Sequence, residues 1–280
     1  MGWTEILLLA IVQGLTEFLP VSSSGHLVVG NALLGALGYP LAKDLVEVSI
    51  ALHMGTLASV LVYYRREIAR MLGTDRRVIP LLILATIPAA IVGVGIKKGL
   101  PETVQTQVLD NIVLVGFMLP VTAMILVAAS RRMAGTTEYP QMSWGQALAI
   151  GVAQSFAILP GVSRSGSTIA AGLGAGLTRE SASTFAFLMA IPAILGAGVL
   201  EMLDVLKEGT TGTPVARLAV GFVVSFVVGL AALALLIQFV KRGRLAVFAW
   251  YLVPLGIAVL VWQLGLVSQW GFAGEVATGG

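Results

Sequence analysis

Six long apolar runs constrain the fold of this chain more than any other feature of its sequence. They cover residues 46–64, 78–96, 108–129, 183–203, 215–240 and 245–266. About 20 apolar residues in a helix cross the hydrocarbon core of a bilayer, and these runs lack the strict alternation of a membrane β-barrel. Because 57% of the residues are hydrophobic and only 11% are charged, a water-soluble globule of this length has no way to bury them. The sequence therefore predicts an all-α integral membrane protein with six transmembrane helices.

The N-terminal region is expected to belong to the mature protein. Residues 1–4 hold no basic residue, and the apolar stretch that follows contains Gln13 and Glu17, which is unlike a secretory signal peptide. The chain has no cysteine, which excludes disulfides and thiolate chemistry.

The basic residues are distributed unequally between the two sides of the predicted membrane domain. Eleven fall in loops on one side: Arg65, Arg66, Arg70, Arg76, Arg77, Arg131, Arg132, Arg179, Lys241, Arg242 and Arg244. Five fall on the other side: Lys43, Lys97, Lys98, Lys207 and Arg217. By the positive-inside rule the Arg-rich side is cytoplasmic, and both termini are outside. Short loops between membrane spans are no nucleic-acid interface, so we expect membrane lipids as partners and no nucleic acid.

Two polar segments in this apolar chain repeat one another. Residues 13–26 align with residues 154–167 when the chain is shifted by 141 positions. The identical pairs are Gln13 with Gln154, Val21 with Val162, Ser22 with Ser163, Ser24 with Ser165 and Gly25 with Gly166. The differing pairs include Glu17 with Ile158, Ser23 with Arg164 and His26 with Ser167. The two copies therefore carry complementary polar groups.

The repeat also predicts the architecture. Four shorter helical stretches, at about 5–19, 25–37, 144–159 and 166–177, flank the Ser-rich turns and are short for a full crossing, which favours two re-entrant hairpins. A single membrane domain, 1–280, then consists of halves 1–135 and 140–268, each with one hairpin (about 5–37 and 144–177) and three spans. Since three is odd, the halves have inverted topology. Residues 271–280 are predicted to be a disordered tail.

The Ser-rich turns are candidates for binding an anion, phosphate above all. Each turn leads into a helix N-terminus, where hydroxyls and backbone N–H groups attract negative charge, and Arg164 adds a forked cationic donor. The candidate phosphate-binding residues are Ser22, Ser24, Gly25, Ser163, Arg164, Ser165, Gly166 and Thr168. The alternative is that the serines are ordinary helix caps and that Arg164 pairs with a carboxylate.

Glu17 and Gln13 are candidates for holding a divalent cation. They lie one helical turn apart, on one face, and carboxylate and amide oxygens suit Mg²⁺ or Ca²⁺. The alternative is an ion pair between Glu17 and Arg164 without a metal.

Ser23 and His26 are candidates for nucleophilic catalysis. His26 follows Ser23 by three residues, so an imidazole near a hydroxyl is expected to accept its proton or to attack phosphorus itself. His53 has no such polar neighbours, which favours a packing role. Glu47 begins the same helix, where capping accounts for it.

A phosphate pocket inside a bilayer suggests a lipid phosphate or diphosphate substrate. The two motifs, Gln13 to His26 and Pro160 to Thr168, resemble those of the undecaprenyl-diphosphate phosphatases of the bacitracin-resistance type. The resemblance implies a metal-dependent enzyme of the bacterial inner membrane that removes the terminal phosphate of C55 isoprenyl diphosphate for cell-wall synthesis, at a site opening to the outer side.

By the same resemblance, Ser23 matches the proposed nucleophile and His26 the proposed acid/base or rival nucleophile. Arg164 matches the phosphate clamp, and Gln13 and Glu17 match the metal motif, although Gln13 stands where many members have Glu. Monomer and homodimer both remain open.

Two other functions compete with this one. Inverted repeats with broken helices are typical of transporters, so a lipid-phosphate carrier or flippase using the same site is the main alternative. A second type of membrane lipid phosphatase uses a histidine after a Ser-Arg motif, but no histidine follows Arg164.

Overall fold

The computed structural model describes residues 2–36, 46–208 and 212–265. Within these ranges the chain forms twelve α-helices and two short 3-10 helices, Tyr139–Gln141 and Leu245–Phe248, and no β-strand. The α-helices are α1 Trp3–Phe18, α2 Ser23–Ala36, α3 Val46–Tyr63, α4 Arg65–Leu72, α5 Val78–Gly99, α6 Glu102–Leu109, α7 Ile112–Arg131, α8 Trp144–Phe156, α9 Arg164–Gly174, α10 Arg179–Glu208, α11 Val215–Lys241 and α12 Ala249–Gln263. The predicted all-α class is confirmed.

The long helices match the predicted spans. Among the described residues, five helical stretches are long and apolar enough to cross a membrane: Val78–Gly99, Ile112–Arg131, Arg179–Leu203, Val215–Lys241 and Leu245–Gln263. The sixth predicted span, α3, meets the same criterion only together with α4, from which it is bent by 72°. Helix α4 carries three arginines in eight residues, and a short cationic helix of this kind favours the membrane surface over the hydrocarbon core.

The four shorter helices flank the Ser-rich turns as the sequence predicts. Helices α1 and α2 lie on either side of the first turn, and α8 and α9 on either side of the second. The expected end of the first hairpin at residue 37 and the expected tail at 271–280 lie outside the described residues. Helices α4 and α6 were not predicted, because eight residues are too few to stand out in a search for spans.

Each half of the chain packs its first hairpin helix against a long helix of the other half. Helix α1 contacts α11, and α8 contacts α5. Glycines permit the close approach: a Cβ on Gly14 would come within 2.9 Å of the Val228 side chain, and one on Gly151 would overlap the Ala85 backbone. Helices α3 and α10, and likewise α7 and α12, also pair across the halves. This exchange of partners brings the two Ser-rich turns together.

Candidate active site

An ion pair joins the two hairpins. Nη2 of Arg164, the first residue of α9, lies 2.7 Å from Oε1 of Glu17 near the end of α1. Both side chains are largely buried, with 20% and 7% of their surfaces exposed. The ion-pair alternative considered for these two residues is therefore present in the structure. A charge-assisted bond of this length is strong and leaves four of the five guanidinium N–H donors for another ligand.

A hydrogen bond from a backbone amide to a serine hydroxyl connects the tips of the two turns. The Gly161 amide donates to the Ser22 hydroxyl at 3.1 Å. Thr122 of α7 bridges the second turn, since its hydroxyl donates to the Gly161 carbonyl at 2.8 Å and accepts from the Ser163 amide at 3.1 Å. Ser22 also has a left-handed backbone, with φ of 71°, which is costly for a residue other than glycine and persists where surrounding contacts impose it.

The second oxygen of Glu17 is the meeting point of several side chains. Gln13 donates its amide to Oε2 at 3.0 Å, and the Ser23 hydroxyl donates to the same oxygen at 3.1 Å. Nε2 of His53, from α3, lies 3.9 Å away. Of the residues predicted for the site, Gln13, Glu17, Ser23 and Arg164 therefore form one connected cluster.

A small cavity opens beside this cluster. Its volume is about 50 Å³. Its walls are Thr16, Glu17, Ser22, Ser23, Ser24, Ala157, Val162, Ser163 and Arg164. A carboxylate, a guanidinium and several hydroxyls therefore face one space, which suits a phosphate group more than an apolar ligand.

Equivalent serines cap the helices that begin at the two turns. The Ser163 hydroxyl accepts from the Gly166 amide at 3.2 Å, and the Ser22 hydroxyl accepts from the Gly25 amide at 3.3 Å. The capping alternative therefore applies to both serines, and both glycine amides are engaged in the caps. The first two amides of each helix have no acceptor within their own helix, and they belong to Ser23 and Ser24 in α2 and to Arg164 and Ser165 in α9.

Two of the predicted phosphate ligands bond within their own turn. Thr168, only 1% exposed, donates its hydroxyl to the carbonyls of Arg164 and Ser165 at 2.8 and 3.3 Å. The Ser165 hydroxyl lies 3.2 Å from that of Ser163. Neither Thr168 nor Ser165 lines the cavity, whereas Ser24, an exposed residue, does.

The ring of His26 forms its hydrogen bonds with groups other than Ser23 and Glu17. Its Nδ1 is 2.7 Å from the Ser22 carbonyl oxygen, and its Nε2 is 2.7 Å from the Tyr251 hydroxyl of α12. Since a carbonyl only accepts, Nδ1 carries the proton, and Nε2 accepts from the tyrosine. The expected bond between His26 and a serine hydroxyl is absent, because α2 turns the ring toward α12. In this structure Ser23 bonds to Glu17 instead.

Comparison with known proteins identifies the family. The family described as bacitracin resistance protein BacA matches residues 6–258. The chain belongs to the BacA family. The resemblance predicted from the two motifs is thus confirmed, and it extends over nearly the whole sequence.

Relatives named undecaprenyl-diphosphatase are similar to this BacA-family chain over most of their length. The protein from Rhodopirellula baltica is 45% identical over 261 residues, which are 93% of this chain and 98% of the relative. The protein from Rubrobacter xylanophilus is 41% identical, over 88% of this chain and 93% of its own. The protein from Desulfatibacillum aliphaticivorans is 39% identical, over 93% and 99% of the two chains.

The side chains of the cluster in this BacA-family chain supply some, but not all, of the ligands that a hard cation such as Mg²⁺ needs. Among the described residues, no group of three or more His, Asp or Glu side chains is placed to hold a metal ion. Glu17 and Gln13 are adjacent and supply oxygen atoms, and Mg²⁺ commonly binds through one or two carboxylates with water and substrate oxygens completing its coordination. The two residues therefore fit a cation shared with a phosphate ligand.

Three residues at the site were missed by reasoning from the sequence. His53 lies beside Glu17, Thr122 bridges the second turn, and Tyr251 bonds His26. The packing role favoured for His53 does not account for its position beside a buried carboxylate. The signal available in the sequence was weak, since none of the three belongs to either Ser-rich motif. Glu47 lies in the first turn of α3, where capping was expected.

Proposed function

We propose that this protein hydrolyses undecaprenyl diphosphate, a C55 isoprenyl diphosphate, to undecaprenyl phosphate and inorganic phosphate. The family match and the relatives named undecaprenyl-diphosphatase support this activity. The observation that carries it is the Ser23 hydroxyl, bonded at 3.1 Å to a carboxylate that also pairs with Arg164. Nucleophile, proton acceptor and phosphate-binding cation thus lie together, whereas a carrier needs only the anion-binding groups. Recycling this lipid serves cell-wall synthesis and bacitracin resistance.

The first chemical step transfers the terminal phosphoryl group to Ser23. The Ser23 oxygen bonds to the terminal phosphorus while the bond from that phosphorus to the bridging oxygen breaks, releasing undecaprenyl phosphate. The hydroxyl proton passes to Oε2 of Glu17, which already accepts it in a hydrogen bond. In the second step water attacks the phosphoseryl phosphorus while the bond from that phosphorus to the Ser23 oxygen breaks. The Ser23 oxygen takes back the proton from Glu17, one proton of the water passes to solvent, and inorganic phosphate is released.

The remaining groups bind and orient the diphosphate. Arg164 keeps its bond to Glu17 and donates further N–H groups to the phosphate oxygens. The first amides of α2 and α9 add partial positive charge on either side. His26, held by Ser22 and Tyr251, orients the first turn instead of taking the serine proton.

A divalent cation, Mg²⁺ or Ca²⁺, is part of the proposal, with Glu17 and Gln13 as the residues that would hold it. The ion would neutralise charge on the diphosphate, which is the main requirement of phosphoryl transfer.

The architecture proposed for this activity has two re-entrant hairpins and inverted halves. Helices α1, α2, α8 and α9 have 16, 14, 13 and 11 residues. At about 1.5 Å per residue they are shorter than the roughly 30 Å hydrocarbon core. The ion pair between the two turns and the exchange of partners between the halves both agree with hairpins that meet inside the membrane.

The protein is a multi-pass membrane protein, and we place it in the bacterial inner membrane with both termini and the site opening on the outer side. The eleven basic residues on one side against five on the other support this orientation. Since the chain has no cysteine, single cysteines test it directly. An impermeant thiol reagent on intact spheroplasts should label Pro101→Cys and leave Thr136→Cys unlabelled until lysis. The reverse pattern would overturn the orientation.

The activity is tested by phosphate release from C55 isoprenyl diphosphate by detergent-purified protein, with Mg²⁺ or with EDTA. We expect metal-dependent release that is lost in Glu17→Ala and Arg164→Ala and retained in Arg66→Ala, which removes a guanidinium from the exposed helix α4. No release from folded wild-type protein would overturn the phosphatase and favour the carrier, which lipid translocation in vesicles would then measure.

A further inference from the structure

Two hydrogen bonds connect one peptide unit of the first turn to helix α12. The carbonyl of this unit belongs to Ser22, and its N–H belongs to Ser23, the first residue of α2. The carbonyl oxygen accepts from Nδ1 of His26 at 2.7 Å, and Nε2 of the same ring lies 2.7 Å from the Tyr251 hydroxyl. A residue outside both Ser-rich motifs is therefore linked to the peptide beside the proposed nucleophile.

The direction of the Ser22 carbonyl determines the direction of the Ser23 amide. A trans peptide is planar, and its C=O and N–H groups point in opposite directions. A bond that fixes the carbonyl toward His26 therefore fixes the Ser23 N–H away from it. This N–H has no acceptor within its own helix, and Ser23 lines the cavity. A hydrogen bond at the carbonyl also polarises the peptide, which makes its N–H a stronger donor.

The backbone of the first turn needs more support than that of the second. The φ angle is 71° at Ser22 and −79° at the equivalent Ser163, and only the first value is costly for a residue with a side chain. The Ser163 carbonyl accepts from the Ser167 amide at 2.9 Å, whereas the Ser22 carbonyl accepts from the His26 amide at 3.2 Å. The Ser167 hydroxyl has no hydrogen-bond partner within the described residues. Only the strained turn has a side-chain bond to this carbonyl.

The tautomer of His26 decides whether the ring can support the turn. A neutral imidazole carries one proton, on Nδ1 or on Nε2. With the proton on Nε2, the lone pair of Nδ1 would face the Ser22 carbonyl oxygen and repel it. The Tyr251 hydroxyl donates to Nε2 and so keeps the proton on Nδ1. The two rings also stack, with centroids 5.7 Å apart and planes inclined by 17°.

We propose that Tyr251 and His26 are positioning residues for the first turn. Tyr251 fixes the tautomer of His26, and the ring holds the Ser22 peptide so that Ser23 presents its hydroxyl to Glu17 and its amide to the phosphate. This inference rests on the proposed function, in which Ser23 attacks the terminal phosphorus. It gives the His26 ring no proton transfer in the reaction.

The tautomer is measured in full-length protein labelled with ¹⁵N-histidine, in detergent and without substrate. Two-bond ¹H–¹⁵N spectra distinguish the two neutral tautomers from each other and from imidazolium. Since the chain has only two histidines, His53→Gln assigns the signals. We expect His26 to carry its proton on Nδ1 in the wild type and in the control Tyr63→Phe, which removes a tyrosine hydroxyl from α3. Tyr251→Phe should show a mixture of both tautomers.

Phosphate release separates positioning from proton transfer. Tyr251→Phe should lower kcat about tenfold, as expected for the loss of one hydrogen bond. His26→Asn keeps an amide nitrogen near the position of Nδ1, whereas His26→Gln places it near Nε2, so the asparagine variant should be at least about fivefold more active. Adding Tyr251→Phe to His26→Asn should have no further effect, because an amide has no tautomer to fix. Ser167→Ala, at the equivalent position of the second turn, should retain wild-type activity.

Several outcomes would overturn the inference while leaving the proposed function standing. In the spectra they are an imidazolium in the wild type at neutral pH, or an unchanged tautomer in Tyr251→Phe. In the kinetics they are equal activities for His26→Asn and His26→Gln, or additive losses in the double variant. If folded wild-type protein releases no phosphate, the proposed function fails, whereas the spectra still decide whether Tyr251 fixes the tautomer. Monodisperse elution of each variant in size-exclusion chromatography establishes that it is folded.

Discussion

The two Ser-rich turns share one backbone plan and carry different chemistry. In both, a serine caps the following helix through a glycine amide: Ser22 with Gly25, and Ser163 with Gly166. Where the first turn has the hydroxyl of Ser23, the second has the guanidinium of Arg164. The comparison teaches that one local backbone arrangement presents two different reactive groups at two helix N-termini.

The division of groups makes the site depend on both halves of the chain. Glu17 binds Ser23 from its own hairpin and Arg164 from the other. The position equivalent to Glu17 in the second hairpin is Ile158, so the second turn has no carboxylate of its own at that position. We conclude that neither hairpin forms the site alone.

Among substitutions that remove a reactive group from either turn, the one at Ser23 should cause the largest loss of phosphate release. Ser23→Ala removes the nucleophile and should lower kcat of phosphate release by more than about 10³-fold, as loss of a catalytic serine does in hydrolases. Ser155→Ala is the matched control, because that hydroxyl bonds to the carbonyl of Val152 in its own helix. Full activity in Ser23→Ala would refute Ser23 as nucleophile and leave His26 or water to attack.

The second-largest loss of phosphate release is expected for substitutions of Arg164. Arg164→Ala removes the phosphate-binding cation, and loss of one such group commonly costs about 10²–10³-fold in kcat. Arg164→Lys keeps the charge but loses the forked donor, so its activity should lie between those of wild type and Arg164→Ala. Steady-state kinetics on both variants measure these activities. Equal activities for the lysine and alanine variants would contradict the intermediate value, because they would show that the positive charge without the forked donor contributes nothing.

The fold and the site, including the difference between the two turns, were partly predictable from the sequence. The apolar runs and the helices flanking the turns follow from local sequence patterns, and the ion pair between Glu17 and Arg164 was one of the two alternatives that the sequence offered for these residues. His53 and Tyr251 were not predictable, because their positions depend on how α3 and α12 are rotated about their axes. Packing sets that rotation, since neither helix has a distinct polar face in its sequence. The His26 orientation was missed for the same reason.

The contacts that hold the second turn in place should have a smaller effect than its guanidinium. Thr122→Val keeps the shape of a side chain that is fully buried but leaves the Ser163 amide and the Gly161 carbonyl without this partner. Each buried group left unpaired costs about 1–3 kcal/mol, so Tm should fall and kcat should drop about tenfold as Arg164 shifts.

Thr86→Val is the control for Thr122→Val, because the Thr86 hydroxyl bonds only to the Leu82 carbonyl of its own helix turn. That carbonyl keeps its place in the helix, so the variant should retain the Tm and activity of the wild type within error. Equal losses in the two variants would mean that the bridge at Gly161 and Ser163 does not position the turn.

The smallest effect on phosphate release is expected at Gln154, which is the equivalent of Gln13 in the second hairpin but has different surroundings. Gln13 donates to Glu17, whereas within the described residues neither amide atom of the equivalent Gln154 has a hydrogen-bond partner, although the residue is only 4% exposed. An unsatisfied buried amide costs about 1–3 kcal/mol. Gln154→Leu should therefore raise Tm by about 2–4 °C and leave phosphate release within about twofold of wild type. Gln13→Leu, by contrast, should lower activity up to about tenfold, because Glu17 loses a donor and the proposed cation loses a ligand. A fall in Tm for Gln154→Leu would mean that a bound water satisfies this amide, and that the second hairpin keeps a polar function of its own.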